Sequence, residues 1–81
     1  MSRARDVVEV VARTLADKPD AVRVTEREAR GQTFVELSMA PGDLGRVIGR
    51  QGRTAAAIRT LANLAAEIDG GKVTVDFRDD H

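Results

Sequence analysis

The fold of this 81-residue chain turns on the stretch Val47-Ile48-Gly49-Arg50-Gln51-Gly52-Arg53-Thr54, in which two glycines enclose two polar residues. Upstream, Pro41-Gly42 marks a turn, and Asp43 reads as the N-cap of a short helix carrying Leu44, Val47 and Ile48. That helix has to end at Gly49. Downstream, a second helical pattern runs from about Arg53, with Ile58, Leu61, Ala65 and Ile68 on one stripe, until Gly70-Gly71 stops it; Ile58, Leu61 and Ile68 are expected in the core. A turn of this kind leaves backbone N–H groups unpartnered at the start of the second helix, beside the positive end of its dipole. Glycine at both corners lets a phosphate backbone approach with no Cβ in the way. Arg50 and Arg53 add charge at the same point, and Arg46 precedes them by about one helical turn. The combination suits a sugar-phosphate chain.

Spacing alone is a weak signal. With seven glycines in the chain a second Gly-x-x-Gly occurs, Gly42-Asp43-Leu44-Gly45, which holds an acid and lies before the short helix. Charge separates the two. Formal net charge is zero, yet residues 41–60 carry Arg46, Arg50, Arg53 and Arg59 against Asp43 alone, and residues 61–81 return the balance. Between Leu44 and Ala66 there are four Arg and no acid. Screening limits each charge to a reach of about 8 Å at physiological salt, so the local balance selects partners.

The flanks of the loop complete an α-β-β-α-α-β order. Val7, Val8, Val11 and Leu15 make an apolar helical stripe that Pro19 ends near Lys18. Val22 and Val24 alternate with Arg23 and Thr25; after Arg30-Gly31 the alternation resumes with Val35, Leu37 and Met39. That is a hairpin with one face on a core. Val73, Val75 and Phe77 alternate with Lys72, Thr74 and Asp76 in a last strand. The expected fold is α+β: a three-stranded sheet with three helices on one face. One domain spans residues 1–81, with a core from about 4 to 78.

Composition removes most alternatives. The chain lacks Cys, Trp and Tyr, its one His is His81, and Phe34 and Phe77 are its only aromatic rings. Thiol- and imidazole-based catalysis is excluded, as is a sheet platform of several stacked aromatics. Glu26 and Glu28 alternate with Arg27 as a solvated face, and no Gly-x-x-x-x-Gly-Lys motif is present. The expectation is no enzyme, no cofactor and no metal site, with Asp79-Asp80-His81 a frayed acidic tail. No apolar run approaches the ~18 residues of a membrane helix, and the N-terminal valines are interrupted by charges, which points to a cytoplasmic protein.

Residues 47–54, with Ile58 following, resemble the signature of KH domains, whose GXXG loop clamps about four nucleotides of a single strand. The element order resembles the bacterial type II arrangement. A short chain with Pro41-Gly42-Asp43-Leu44-Gly45-Arg46 leading into the loop is similar to the small bacterial KhpA family. The resemblance implies a cytoplasmic RNA-binding protein that forms a homodimer or pairs with a second KH protein, KhpB. It implies post-transcriptional regulation or RNA chaperoning. Carried over, Gly49, Arg50, Gln51 and Gly52 form the clamp, Ile48 and Ile58 are the flanking apolar positions, and Arg53 adds a phosphate contact; Arg46 is a further candidate by its charge and place, with contact and solvent both open to it. The chain departs from the pattern at Ala55, where many KH domains carry Ile, which implies a shallower or wider groove. An alternative role is a dimerisation or scaffold module, favoured by Ala55-Ala56-Ala57 and the apolar Leu61–Ala66 segment.

Overall fold

The structure, a computed structural model, describes residues 2–79, apart from the side chains of Arg50 and Asp79. Asp80 and His81, the rest of the expected acidic tail, lie outside the described residues. The α-helices are α1 (Arg3–Leu15), α2 (Asp43–Ile48) and α3 (Arg53–Ile68), and the strands are β1 (Arg23–Ala29), β2 (Gln32–Met39) and β3 (Lys72–Asp79). Single 3₁₀ turns occupy Pro19–Ala21 and Arg50–Gly52.

Local chemistry explains the hairpin. Arg30 and Gly31 have φ of 54° and 78°, the pair of positive values that a two-residue type I′ turn requires. The register follows from it, Ala29 opposite Gln32 through Arg23 opposite Ser38. β3 then joins the other side of β2 in parallel, Val35 beside Val75, giving the order β1-β2-β3. A parallel neighbour needs a long crossover, and α2, the loop and α3 supply it. The Gly-x-x-Gly loop is therefore held at one end of the sheet by the connection that the topology demands.

All three helices cover one face of the sheet. Val35, Leu37, Met39, Val73 and Val75 point into that layer and are buried with Val8, Val47 and Ile58. The opposite face presents Thr25, Arg27, Phe34, Glu36, Thr74, Asp76 and Arg78, as the period of two requires. There Arg78 bridges Asp76 at 3.0 Å and Glu36 at 3.2 Å, and the Arg27 guanidinium lies 4.6 Å from the centre of the Phe34 ring.

Three expectations are corrected. The first helix stops at Leu15 rather than near Lys18, because the Asp43 carboxylate takes the N–H groups of Asp17 (3.3 Å) and Lys18 (3.0 Å). Asp43 is consequently not the N-cap of α2. Gly42 holds that position at φ 91°, and Asp43 is 4 % exposed beneath the α1–β1 connection. The third concerns which residues face inward. α1 buries Ala4, Val8 and Ala12 and leaves Leu15 exposed, while α3 buries Ala55, Ile58, Ala62, Ala65 and Ala66. Leu61 and Ile68, expected in the core, are 46 % and 71 % exposed, and Leu64 is 53 % exposed. α1 and α3 pack together through alanine-rich seams, and so close an approach leaves no room for Leu or Ile between them.

The N-terminus of α1 is tied to the sheet. Ser2 caps it, its Oγ accepting from the Arg5 N–H at 3.1 Å. The Ser2 backbone N–H donates to Glu26 Oε1 at 3.0 Å, and its hydroxyl donates to the same oxygen. These bonds hold the Glu26 carboxyl below the usual carboxylate range.

Candidate nucleic-acid interface

α2 ends with the Gly49 N–H bonded to the Gly45 carbonyl at 2.9 Å. Gly49 itself adopts φ 73°, ψ 176°, a region that only glycine enters freely. Space forbids a side chain as well, since a Cβ there would stand 2.9 Å from Thr54 Cβ and 3.2 Å from its backbone nitrogen. The chain next passes through Gln51 at φ 59° and Gly52 at φ 71°, both left-handed, with the Gly52 N–H bonded to the Gly49 carbonyl at 3.2 Å. Arg53 opens α3. The two glycines thus do different work: Gly49 is enforced by conformation and by Thr54, whereas Gly52 is enforced by conformation alone, with nothing within 4 Å of its missing Cβ.

The loop delivers the 16-residue α3 with no side-chain cap at Gly52 and no acid in its first turn. The amides of that first turn have no carbonyl of their own helix to bond to, and the dipole places partial positive charge there. Ordinary helices blunt such an end with Ser, Asp or a first-turn Glu; this one carries none of them there.

The other site candidates divide by environment. Arg53 is exposed, and its guanidinium donates to Gln51 Oε1 at 3.1 Å, which fixes both side chains beside the loop. Arg46 is exposed and bridges Asp17 at 2.9 Å. An exposed pair of that kind holds with less than about 1 kcal/mol, so a phosphate can compete for the guanidinium. Ile48, at the end of α2, is 37 % exposed and presents an apolar surface next to the loop. Ile58 is 1 % exposed and belongs to the core, where it seats α3 behind the loop and offers no contact surface. Ala55 is buried in the first turn of α3.

Sequence reasoning undervalued one neighbour. Arg59 lies on α3 with its guanidinium 4.7 Å from the centre of the Phe77 ring, and its Nε donates to the Val75 carbonyl at 3.4 Å. The pairing joins residues 18 apart in sequence, on a helix and a strand, and only the parallel docking of β3 brings them together.

Two surface hollows lie away from the loop. One of about 400 Å³ lies on the outer face of the sheet, over Phe34 and Thr74; another, of about 630 Å³, lies beside Gly70-Gly71. At the loop, Gln51 and Arg53 are exposed while Gly49 and Gly52 are half-buried.

The chain matches the family described as KhpA/KhpB, KH domain, over residues 5–77. It is 45 % identical over 72 residues to RNA-binding protein KhpA of Caldanaerobacter subterraneus subsp. tengcongensis, covering 89 % of this chain and 96 % of that one. With RNA-binding protein KhpA of Mycobacterium bovis it shares 47 % over 74 residues, covering 91 % of this chain and 89 % of that one. Among solved structures it is similar to Era in complex with MgGDPNP and nucleotides 1506-1542 of 16S ribosomal RNA. That match has a TM-score of 0.64 at 19 % identity, covering 94 % of this chain and 29 % of Era. Aquifex aeolicus Era bound to GDP.AlF4- gives a TM-score of 0.62 at 18 % identity over the same shares. At that identity the Era likeness is one of fold. The order α-β-β-α-α-β, the mixed three-stranded sheet and the helix–Gly-x-x-Gly–helix crossover are those of a type II KH domain, and the chain belongs to the KhpA/KhpB KH-domain family.

Proposed function

We propose that this protein binds single-stranded RNA by clamping the backbone of about four nucleotides on Gly49-Arg50-Gln51-Gly52. The uncapped start of α3 behind three positive-φ residues, Gly49, Gln51 and Gly52, carries this reading. A strand's phosphates meet the free amides of α3, Arg50 and Arg53 neutralise them, Arg46 exchanges Asp17 for a phosphate, and Ile48 contacts an unstacked sugar or base. KH loops clamp single strands in this manner, and curated relatives carry the name RNA-binding protein. The role that follows is that of a cytoplasmic post-transcriptional regulator or RNA chaperone that catalyses no reaction. Among the described residues no helix is long and apolar enough to cross a membrane, and no cluster of His, Cys, Asp and Glu could hold a metal ion.

The test is a titration of a short fluorescent RNA with wild type and with the Arg50→Asp/Gln51→Asp double variant at several salt concentrations. With few bases contacted, wild type should bind at micromolar Kd or weaker. About three neutralised phosphates give log K a slope near −2 against log salt, at ~0.7 per phosphate for single strands. The double variant should lose binding while keeping its helical circular dichroism and Tm, because the loop contributes little to the core. A salt slope near zero would refute the phosphate clamp.

A second reading rests on α3. Ala57, Leu61, Leu64 and Ile68 recur at spacings of four, three and four along one exposed stripe. A helix apolar on a face that its own domain leaves bare is built to meet another surface. We infer that this stripe pairs the chain with a second copy of itself or with a KhpB-like KH chain. At 100° per residue the stripe lies about half a turn around α3 from Arg59, so pairing there leaves the loop open to RNA.

A further inference from the structure

We propose that Arg59 is the base-reading residue of the RNA site, and that it selects bases presenting two adjacent hydrogen-bond acceptors, guanine or cytosine, over adenine and uracil. The inference deepens the clamp reading and rests on it.

Position is the first argument. Arg59 lies on the helix that starts at the loop, seven residues after Gly52, so it stands about two turns, or ~10 Å, along α3 from the clamp. It projects on the flank of α3 that faces β3, the edge strand of the sheet, whose outer side pairs with no strand. A strand held by its phosphates at Gly49–Gly52 and running along α3 therefore carries its bases past this side chain.

Preorganisation is the second. The partners recorded for the Arg59 guanidinium among the described residues are a ring and a backbone carbonyl, both neutral. By contrast Arg3, Arg5, Arg13, Arg46 and Arg78 each meet a carboxylate. Stacking on Phe77 and the Nε bond to Val75 fix the plane without neutralising it. Most of the rotamer entropy that a long flexible side chain loses on binding has thus been lost beforehand. The Nε–H is the donor directed at the protein, which leaves the Nη groups to face a ligand.

Donor chemistry supplies the selectivity. A guanidinium only donates, in a planar fork that two adjacent acceptors satisfy together. Guanine offers O6 and N7, the commonest partner of Arg in base recognition, and cytosine offers O2 and N3. In adenine an amino donor stands beside each ring acceptor on the pairing edges, and in uracil N3–H separates the two carbonyls. Either base meets the fork with at most one bond. One missing contact of this kind is worth about tenfold in affinity.

The experiment uses fluorescence anisotropy with an eight-nucleotide oligouridine and three further probes carrying one A, C or G at the central position. Wild type, Arg59→Lys and Phe77→Leu are compared at two salt concentrations, with the Tm of each recorded. Wild type should bind the G or the C probe about tenfold more tightly than the A probe and the parent. The two arms distinguish the O6/N7 reading from the O2/N3 reading. Arg59→Lys keeps the charge but not the fork, and should flatten the preference to within about threefold while the salt slope stays unchanged. Phe77→Leu keeps an apolar seat without the ring, and should give an intermediate preference. Equal binding of all four probes by wild type overturns this inference and leaves the clamp standing. A preference that survives in Arg59→Lys overturns it too. Failure of wild type to bind any probe overturns the clamp and this inference together.

Discussion

At the scale of single residues, the loop's two glycines are not equivalent, and their difference can be measured. Replacing Gly49 by Ala forces a side chain into φ 73°, ψ 176° and against Thr54, whereas Ala at Gly52 meets strain without collision. Strain of the first kind costs about 1–3 kcal/mol, and the overlap with Thr54 adds about 1 kcal/mol or more. Left-handed strain alone at Gly52 costs about 1–2 kcal/mol. In a domain of this size each kcal/mol moves Tm by about 4–8 °C. Gly49→Ala should therefore melt at least ~5 °C below Gly52→Ala. Adding Thr54→Ala to Gly49→Ala should recover only a small part of the loss, because it removes the overlap with the hydroxyl and leaves Cβ, the backbone nitrogen and the strain in place. Equal Tm values for the two glycine variants would show that Thr54 yields freely.

Between elements, Asp43 is the joint. Its buried carboxylate accepts two backbone N–H bonds from the segment that leaves α1, while its own N–H bonds the Ala40 carbonyl at 3.0 Å. It thereby fixes the start of α2 to the α1–β1 connection, and through α2 it fixes the loop. Asp43→Ala leaves two partly buried amides without their acceptor and should cost about 1–3 kcal/mol in a urea melt. Asp43→Asn keeps one acceptor oxygen and should lose about half as much. A loss below about 0.5 kcal/mol for Asp43→Ala would mean that water replaces the carboxylate and that the joint is dispensable. Motif reading took the same residue for an N-cap because Asp after Pro-Gly ordinarily serves that purpose. Its real partners, 25 and 26 residues away, leave no trace in local sequence.

For the whole molecule, the decisive feature is how apolar surface is shared out. Alanines fill the contact between α1 and α3, and Leu61, Leu64 and Ile68 are left on the surface. A domain of about 80 residues buries too little to leave three such side chains in water without consequence. Sedimentation across a dilution series should show self-association of wild type in the micromolar range. Leu64→Asp should abolish it, while RNA binding per chain and the salt slope at the loop remain. A wild type that stays monomeric at 100-fold above the RNA Kd would remove self-pairing and leave a KhpB-like chain as the partner of the stripe.

The sequence by itself determined the order of elements, the hairpin at Arg30-Gly31, and the loop between Gly49 and Gly52. Each of these is written in local chemistry: a period of two or 3.6, a proline that stops, a glycine that turns. It also determined the basic character of residues 44–66, because a run of like charges needs no fold to be seen. Tertiary structure alone decided which apolar residues are core. Periodicity gives an apolar arc but not the distance of the neighbouring helix, and here that distance admits alanine where Leu61 and Ile68 were expected. It also placed Ile58 behind the loop rather than on it, diverted Asp43 from α2 to the end of α1, and set Arg59 on Phe77. The Ile58 and Arg59 contacts depend on the parallel crossover from β2 to β3, and that of Asp43 on the docking of the α1–β1 connection against α2; long-range docking is the one thing a local pattern does not encode.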